Sequence, residues 1–268
     1  MKNILTAVTA SLLLSVGSQA NAHFDDSLRT QPILVIGASY ASAKVPFNER
    51  LQSPLFGAAV GNGSYLSLGD ALIRKGFYVI NEGQAGATTF ERISCDFSTS
   101  CGPGYWDSYQ TQVQRAFARV ALPDGTFNSQ YLLIAPANDC LHSGAFNVPQ
   151  TDAIPCDSNE VAATMQRLID VGEMALSNGI TPIYMDYPRY DQYDLPLTQQ
   201  LLGFNWVVNE TQYNEIRDTH EQMITTQIPD AIFVHNAWRQ FEHVGDGLHP
   251  TDRAVRHATK MILRAIKH

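Results

Sequence analysis

The chain has 268 residues, 44% hydrophobic and 16% charged, and its 18 Lys and Arg against 26 Asp and Glu give a formal charge of −8. The hydrophobic share excludes a disordered or low-complexity chain, and the acidic balance excludes a protein that neutralises nucleic-acid phosphates. The length allows one large domain or two small ones, with a sizeable buried core.

The first 22 residues are typical of a secretory signal peptide. Lys2 supplies the positive n-region, Ile4 to Val16 is an apolar h-region, and small residues lead up to Ala22. The alternative, a membrane anchor, is disfavoured because the apolar run is shorter than the roughly 20 residues that span a bilayer. Removing 22 of 268 residues would leave one domain, 23–268, of 246 residues with a charge of −9, since Lys2 is lost. We therefore expect a secreted or periplasmic protein without an integral membrane segment.

Short apolar runs rich in β-branched residues predict five strands, at 32–36, 77–80, 131–135, 181–185 and 231–235. Continuous apolar runs are typical of strands that are buried on both faces of a parallel sheet. Helical periodicity between the runs predicts helices at 65–75, 113–120, 158–179 and 250–267. The alternation of strands and helices predicts a single α/β domain with a central, mostly parallel sheet.

Two long stretches, Tyr40–Gly63 and Asp186–Gln212, show no regular pattern. Each follows the carboxyl end of a predicted strand, where open α/β sheets bind their ligands. Loops of this length inside a compact domain are usually functional, so we expect both to cover a site.

Ser39 follows the first predicted strand directly, in the segment Ile36-Gly-Ala-Ser-Tyr40. The segment is similar to the Gly-x-Ser-x-Gly nucleophile elbow of α/β-hydrolases, but that serine comes after several strands and this one after a single strand. Alone, the segment is weak evidence for catalysis, because turns of this kind often only start a helix.

Asp246 and His249 are three residues apart near the end of the chain, in Gly245-Asp-Gly-Leu-His-Pro250. On one turn, the carboxylate can accept a hydrogen bond from one imidazole nitrogen and leave the other facing a nucleophile. The alternative is a carboxylate that caps a helix beside an incidental histidine.

Two further segments follow strands and carry donors for an oxyanion. The second strand is followed by Gln84-Ala-Gly-Ala-Thr88, with backbone N–H groups at a glycine turn, and the third by Ala135-Pro-Ala-Asn-Asp139, with a side-chain amide. Together with the serine and the Asp-x-x-His pair they supply a nucleophile, oxyanion donors and a base with its orienting carboxylate. These four blocks, in this order, resemble the SGNH hydrolases, also called the GDSL esterase/lipase superfamily, over about residues 31–262.

The resemblance implies a flavodoxin-like, three-layer α/β/α sandwich around a five-stranded sheet. It implies that Ser39 is the nucleophile, activated by His249, which Asp246 orients. It also implies an oxyanion hole of the Ser39 N–H, the Gly86 N–H and the Asn138 side-chain amide. The chain departs from the family pattern at Ala38, where the family commonly has aspartate, and at Pro136, where it usually has glycine. We expect these departures to affect activity more than the fold.

The four cysteines are Cys95, Cys101, Cys140 and Cys156, and all lie beyond the predicted cleavage site. An even number in an exported protein predicts two disulfides, and three pairings are possible. Pairing nearest neighbours would close two local loops beside the oxyanion donors and help to preorganise them. The alternative, a zinc site, is disfavoured because the chain has no Cys-x-x-Cys and no histidine spaced as a ligand beside a cysteine pair. We expect no metal and no organic cofactor.

The remaining histidines and a group of aromatic residues after the fourth predicted strand can be interpreted as packing residues or as parts of a site. Five histidines outside the blocks are expected to lie on the surface or in packing, and they are His220, His235, His243, His257 and His268. Six aromatic residues near the fourth strand would form a wall for acyl or sugar groups, or else ordinary packing, and they are Tyr184, Tyr187, Tyr190, Tyr193, Phe204 and Trp206.

The combined expectation is a secreted serine esterase that hydrolyses carboxylic esters through an acyl-enzyme, with a small-molecule, lipid or glycan ester as substrate. The alternatives are a carbohydrate O-acetylesterase or a lysophospholipase of the same fold, and a non-catalytic carbohydrate-binding protein. A two-lobed solute receptor is disfavoured because five strands do not fill a second α/β lobe.

Overall fold

The structure is a computed structural model that describes residues 29–42, 65–94, 102–141, 155–202 and 208–267. The predicted signal peptide, Cys95, Cys101 and the aromatic residues Phe204 and Trp206 lie outside these residues, and so does most of the predicted stretch Tyr40–Gly63. In the part of the chain that the structure describes, no helix is both long and apolar enough to cross a membrane.

Seven strands and six helices are numbered here in chain order. The strands are β1 Ile33–Ile36, β2 Val79–Asn81, β3 Arg92–Ser94, β4 Gly102–Trp106, β5 Tyr131–Ile134, β6 Thr181–Met185 and β7 Ile232–Val234. The helices are α1 Leu68–Arg74, α2 Tyr109–Val120, α3 Ser158–Ser177, α4 Leu195–Leu202, α5 Glu210–Gln227 and α6 Asp252–Ile266. A short 3-10 helix lies at Tyr190–Gln192.

Five strands form the central sheet in the order β2-β1-β5-β6-β7, and every neighbouring pair is parallel. Counted within the sheet alone, this is the flavodoxin-like order 2-1-3-4-5. The five predicted strands are therefore confirmed, with ends that differ by one or two residues. Because the strands are parallel, the segments that follow β1, β2 and β5 emerge side by side at the same edge.

The strands separate two cores because successive side chains point to opposite faces. On β1, Leu34 and Ile36 pack into one hydrophobic cluster with α2, α3 and α5. Ile33 and Val35 pack into the other cluster with α1 and α6. Each of these four strand side chains is at most 1% exposed. The three-layer α/β/α arrangement is therefore confirmed.

Two elements differ from the sequence prediction. The stretch Asp186–Gln212 was expected to be irregular, but it contains the 3-10 helix, α4 and the start of α5. Proline near the start of α4 is compatible with a first helical turn, and Asp194 caps that turn by accepting the Leu197 N–H at 3.1 Å. The antiparallel hairpin of β3 and β4 was also missed, because its second strand begins Gly102-Pro-Gly, a composition that is depleted in strands.

His220 on α5 lies in the core, as the packing interpretation expected, and is 2% exposed. Its Nδ1 has no hydrogen-bond partner among the described residues, and its ring lies edge-on to Tyr187 at 5.2 Å. Burial lowers the pKa of His220 from 6.5 to about 4, because the charged imidazolium would be desolvated.

We expect this histidine to make folding sensitive to acid. The unfolded chain binds the proton near pH 6.5 and the folded chain only near pH 4, so the stabilisation is complete above that window and is lost as the pH falls through it. Urea denaturation should show about 2 kcal/mol less stability at pH 5 than at pH 7.5 from this group. Asp186, whose pKa burial raises to about 6, acts in the opposite direction in the same window.

The variant His220→Leu separates the two groups, since it keeps Asp186. Its free energy of unfolding should decline less between pH 7.5 and pH 5 than that of the wild type. Equal declines in the two proteins would show that His220 is not the acid-sensitive group.

Candidate active site

The candidate nucleophile lies in a tight turn after β1. The N–H groups of Ala41 and Ser42 both donate to the Ala38 carbonyl oxygen, at 3.0 and 3.1 Å, and they fold the chain around Ser39. The Gly37 N–H donates to the side-chain oxygen of Gln112 on α2 at 2.8 Å, and Gln112 is fully buried. The turn is thus held by backbone hydrogen bonds and by the buried side-chain amide of Gln112. Ser39 itself is 6% exposed.

The second block forms a turn after β2. The Ala87 N–H donates to the Gln84 carbonyl oxygen at 2.9 Å, and Gly86 between them has a φ of +86°, which favours glycine. The indole N–H of Trp106 donates to the Ala85 carbonyl oxygen at 2.8 Å. The Gln84 side chain is paired with Asp107 through two hydrogen bonds, of 2.6 and 2.9 Å. The turn that carries Gly86 is therefore fixed from two sides.

Asn138 follows β5 and is held through both of its neighbours. The N–H and the carbonyl oxygen of Ala137 both bond to the Tyr187 hydroxyl, at 3.0 and 3.1 Å. On the other side, the Asp139 carboxylate accepts the Thr89 N–H at 3.0 Å and also contacts the Thr89 hydroxyl. Because Thr89 lies three residues after Gly86, this carboxylate joins the two segments that carry the candidate oxyanion donors.

Asp139 is buried, at 2% exposure, and Arg167 on α3 lies 3.4 Å from its carboxylate. Burial raises the pKa of Asp139, although the hydrogen bonds from Thr89 and the charge of Arg167 act against it. No role for Asp139 was predicted from the sequence. Its position directly after Asn138 was the only available signal, because its partners come from distant segments.

The fourth block forms the predicted carboxylate–imidazole pair. His249 Nδ1 lies 2.6 Å from Asp246 Oδ2, and Asp246 Oδ1 accepts the N–H groups of Leu248 and His249 at 2.9 and 2.8 Å. Asp246 is 6% exposed and His249 is 2% exposed. Burial alone would raise the pKa of the Asp246 carboxyl, but the hydrogen bonds from His249 and from the backbone hold it below its usual value. The carboxylate is therefore ionised and bonded to one imidazole nitrogen.

The capping alternative for Asp246 is wrong. Thr251 is the N-cap of α6, since its hydroxyl accepts the Ala254 N–H at 3.3 Å, and the helix begins at Asp252 instead of at the predicted Pro250. The Asp246 carboxylate instead forms hydrogen bonds with the His249 ring and with the backbone of Leu248 and His249.

The start of α4 packs against this loop. The Asp194 N–H donates to the Gly247 carbonyl oxygen at 2.9 Å, and the Thr198 hydroxyl donates to the Asp246 carbonyl oxygen at 2.9 Å. Gly247 has a φ of +82°, and a Cβ there would collide with the Asp194 carbonyl oxygen. His243 also shapes the loop, since its Nδ1 accepts the N–H groups of Gly245 and Gly247 at 3.1 and 3.2 Å. His243 thus has a local structural role that the sequence analysis did not identify.

Two tyrosines join the serine turn to the histidine loop. The Tyr40 hydroxyl donates to the Leu248 carbonyl oxygen at 3.0 Å. The Tyr65 hydroxyl donates to the Ser39 carbonyl oxygen at 3.1 Å, and its ring stacks on His249 with centroids 4.5 Å apart. These contacts bring the segment after β1 together with the loop after β7, although the two strands are not neighbours in the sheet.

Comparison with solved structures identifies the fold. Est24, a carbohydrate acetylesterase from Sinorhizobium meliloti, superposes with a TM-score of 0.51 at 14% sequence identity, over 85% of this chain and 94% of that one. The chain has the SGNH-hydrolase fold. Axe2, an acetylxylan esterase from Geobacillus stearothermophilus, has a TM-score of 0.47 at 15% identity, over 88% of this chain and 94% of that one. A GDSL-like lipase from Bacteroides thetaiotaomicron has a TM-score of 0.43 at 12% identity, over 88% and 87%.

No protein-family profile and no curated protein matches the chain by sequence. The fold is therefore recognised through its structure and through the four short blocks. At the two departures from the SGNH pattern the structure shows backbone contacts, and the carbonyl oxygen of Pro136 accepts a hydrogen bond from the buried Tyr109 hydroxyl at 3.2 Å. Ala38 contributes its carbonyl oxygen to the serine turn.

Three of the four tyrosines near the fourth predicted strand make hydrogen bonds inside this SGNH fold. Tyr184 is fully buried and donates to the Leu168 carbonyl oxygen at 2.7 Å, and Tyr187 is 4% exposed and holds Ala137. The Tyr193 hydroxyl lies 3.2 Å from those of both Tyr40 and Tyr213. The hydroxyl groups of Tyr187 and Tyr193 therefore support the segments around the site, whereas the Tyr184 hydroxyl bonds only to α3, outside it.

Cys140 forms a disulfide with Cys156, with Cα atoms 5.6 Å apart, as one of the three possible pairings expected. It joins the segment after Asn138 to the residue before the N-cap of α3. The Cys140 sulfur is thus unavailable for the zinc alternative. In the described ranges, no group of three or more His, Cys, Asp or Glu residues is placed to hold a metal ion.

Proposed function

We propose that this protein is an exported serine esterase that hydrolyses carboxylic esters through an acyl-enzyme. The observation that carries the proposal is the buried Asp246–His249 pair, joined to the serine turn by Tyr40 and Tyr65. A carboxylate bonded to one imidazole nitrogen leaves the other as an acceptor for a hydroxyl proton. Export to an oxidising compartment is supported by the N-terminal sequence and by the disulfide.

In the proposed reaction, His249 accepts the hydroxyl proton of Ser39 while Oγ attacks the ester carbonyl carbon. The tetrahedral oxyanion is stabilised by the N–H groups of Ser39 and Gly86 and by the Asn138 amide. His249 then gives its proton to the leaving alcohol, and the acyl group stays on Ser39. Water adds to the acyl carbonyl, His249 takes a proton from it, and the acid leaves as Ser39 regains its proton. These steps use no metal and no organic cofactor.

The substrate class is proposed to be a short acyl ester, with O-acetylated carbohydrate foremost. Est24, which this chain resembles in fold, is a carbohydrate acetylesterase. Activity on p-nitrophenyl esters of increasing acyl length, measured beside acetate release from acetylated xylan, tests this choice. Long-chain preference would instead favour the lipase or lysophospholipase alternative.

Changing Ser39 to Ala tests the function itself. The wild type should hydrolyse p-nitrophenyl acetate and become labelled by a fluorophosphonate at Ser39, because only an activated serine reacts. The variant should melt at the wild-type temperature. It should take no fluorophosphonate label, and its turnover should be at least about 10⁴-fold lower. If Ser39→Ala still hydrolyses the ester at the wild-type rate, Ser39 is not the nucleophile and the proposed function is wrong. A wild type that binds carbohydrate but takes no label would instead be a non-catalytic binding protein.

A further inference from the structure

Tyr65 contacts both partners of the proposed proton transfer. It precedes α1 by three residues, is 4% exposed and donates its hydroxyl hydrogen to the Ser39 carbonyl oxygen at 3.1 Å. Its ring lies nearly parallel to the His249 imidazole, at an interplanar angle of 16° and a centroid distance of 4.5 Å. A single rigid side chain thus spans from the backbone of the nucleophile to the face of the base.

The stack supplies a restraint that Asp246 cannot. The hydrogen bond of 2.6 Å from His249 Nδ1 to Asp246 fixes one edge of the imidazole, but it leaves the ring free to tilt about that bond. A flat ring against the imidazole face removes this tilt, so that Nε2 keeps one direction. The hydroxyl bond at the other end of the phenol restrains the Ser39 backbone at the same time.

The chemistry of the phenol suits positioning and not proton transfer. Burial raises the pKa of the Tyr65 phenol, and the nearby carboxylates of Asp246 and Asp70 raise it further, so the hydroxyl stays protonated. The negative face of its ring also attracts the positive charge that His249 gains when it accepts the serine proton. Because Tyr65 is buried, it offers little surface to a substrate.

We propose that Tyr65 is a positioning residue that sets the orientation of His249 relative to Ser39, and the kinetic part of this proposal rests on the proposed esterase function. It acts on the chemical step and not on substrate binding. Its loss should therefore lower kcat and leave KM unchanged.

Two substitutions separate the contacts. Tyr65→Phe keeps the stack and loses the hydrogen bond of the hydroxyl, so kcat should fall about threefold. Tyr65→Leu loses both contacts, so kcat should fall about tenfold or more. KM should be unchanged in both variants. The control Tyr184→Phe removes an equally buried hydroxyl from a backbone carbonyl outside the site and should keep the wild-type kcat. Wild-type kcat in a folded Tyr65 variant, or a change confined to KM, would overturn the proposal. If Tyr65→Leu does not fold, Tyr65→Phe decides.

Proton NMR of the His249 ring tests the stack without any substrate. The signals are assigned by their absence from His249→Gln. A stacked phenol shields the imidazole protons, so they should move downfield in Tyr65→Leu and stay in place in Tyr65→Phe. Unchanged signals in folded Tyr65→Leu would overturn the stack.

The proposed function and the role of Tyr65 can fail separately. A wild type that takes no fluorophosphonate label refutes the esterase function and the kinetic role together, whereas normal labelling with wild-type kcat in Tyr65→Leu refutes the role of Tyr65 alone.

Discussion

Replacing Asp246 with Asn should lower kcat by about 10⁴-fold while leaving the fold intact. The amide oxygen can still accept the N–H groups of Leu248 and His249, so the loop keeps its shape. The amide nitrogen takes the place of Oδ2 and donates a hydrogen toward His249 Nδ1. The imidazole must then carry its own hydrogen on Nε2, and it cannot accept the proton of Ser39.

The measurement is kcat on p-nitrophenyl acetate, with thermal melting as the check on folding. Asp186→Asn is the matched control, because the Asp186 carboxylate also accepts two backbone N–H groups, from Asn236 and Ala237 at 2.7 and 3.0 Å, and lies outside the proposed triad. That variant should keep the wild-type kcat. If Asp246→Asn stays within tenfold of the wild type, Asp246 does not orient the base.

Replacing Cys140 and Cys156 together with Ser should lower the free energy of unfolding by about 3 kcal/mol. The disulfide links residues 16 apart, and in the chain-entropy model a loop of this length restricts the unfolded state by about that amount. Urea denaturation of the wild type and of the double variant, both without reductant, measures the difference. A loss below about 1 kcal/mol would contradict the prediction.

The same variant should also turn over more slowly, but by a severalfold factor only. Cys140 lies two residues after Asn138, so the crosslink restrains one side of a candidate oxyanion donor. Ala137 and Asp139 continue to hold Asn138 through Tyr187 and Thr89. Unchanged kcat in the folded double variant would show that these hydrogen bonds are sufficient and that the disulfide only stabilises the fold.

The central sheet could be predicted from the sequence because its strands are buried on both faces. Leu34 and Val35 point into opposite cores and both are fully buried, which requires an uninterrupted apolar run. Helix α4 has a weaker signal, since Pro196 in its first turn resembles a loop residue and its partner surface is the distant Gly247 turn. Whether such a segment becomes a helix depends on the remote segments that bury it, and the local sequence pattern does not show which segments these are.

In the candidate site too, contacts within one segment could be predicted from the sequence, and contacts between distant segments could not. The Asp246–His249 pair could be predicted because three residues of spacing place both groups on one turn. The carboxylate of Asp139 bonds to Thr89 from 50 residues away, and Tyr65 stacks on His249 from a different segment altogether. No spacing rule relates these residues, so only the folded chain reveals that they support the site.

The hydrogen bond from Tyr40 to Leu248 joins residues 208 positions apart. Contacts of such long sequence separation slow folding, because the entropy of closing the intervening chain is lost before they contribute. The serine turn lies near the start of the domain, whereas Asp246 and His249 lie on the loop that precedes α6, which packs beside α1. The candidate site therefore exists only when both ends of the domain are in place, so recovery of activity after dilution from denaturant would report folding of the whole domain.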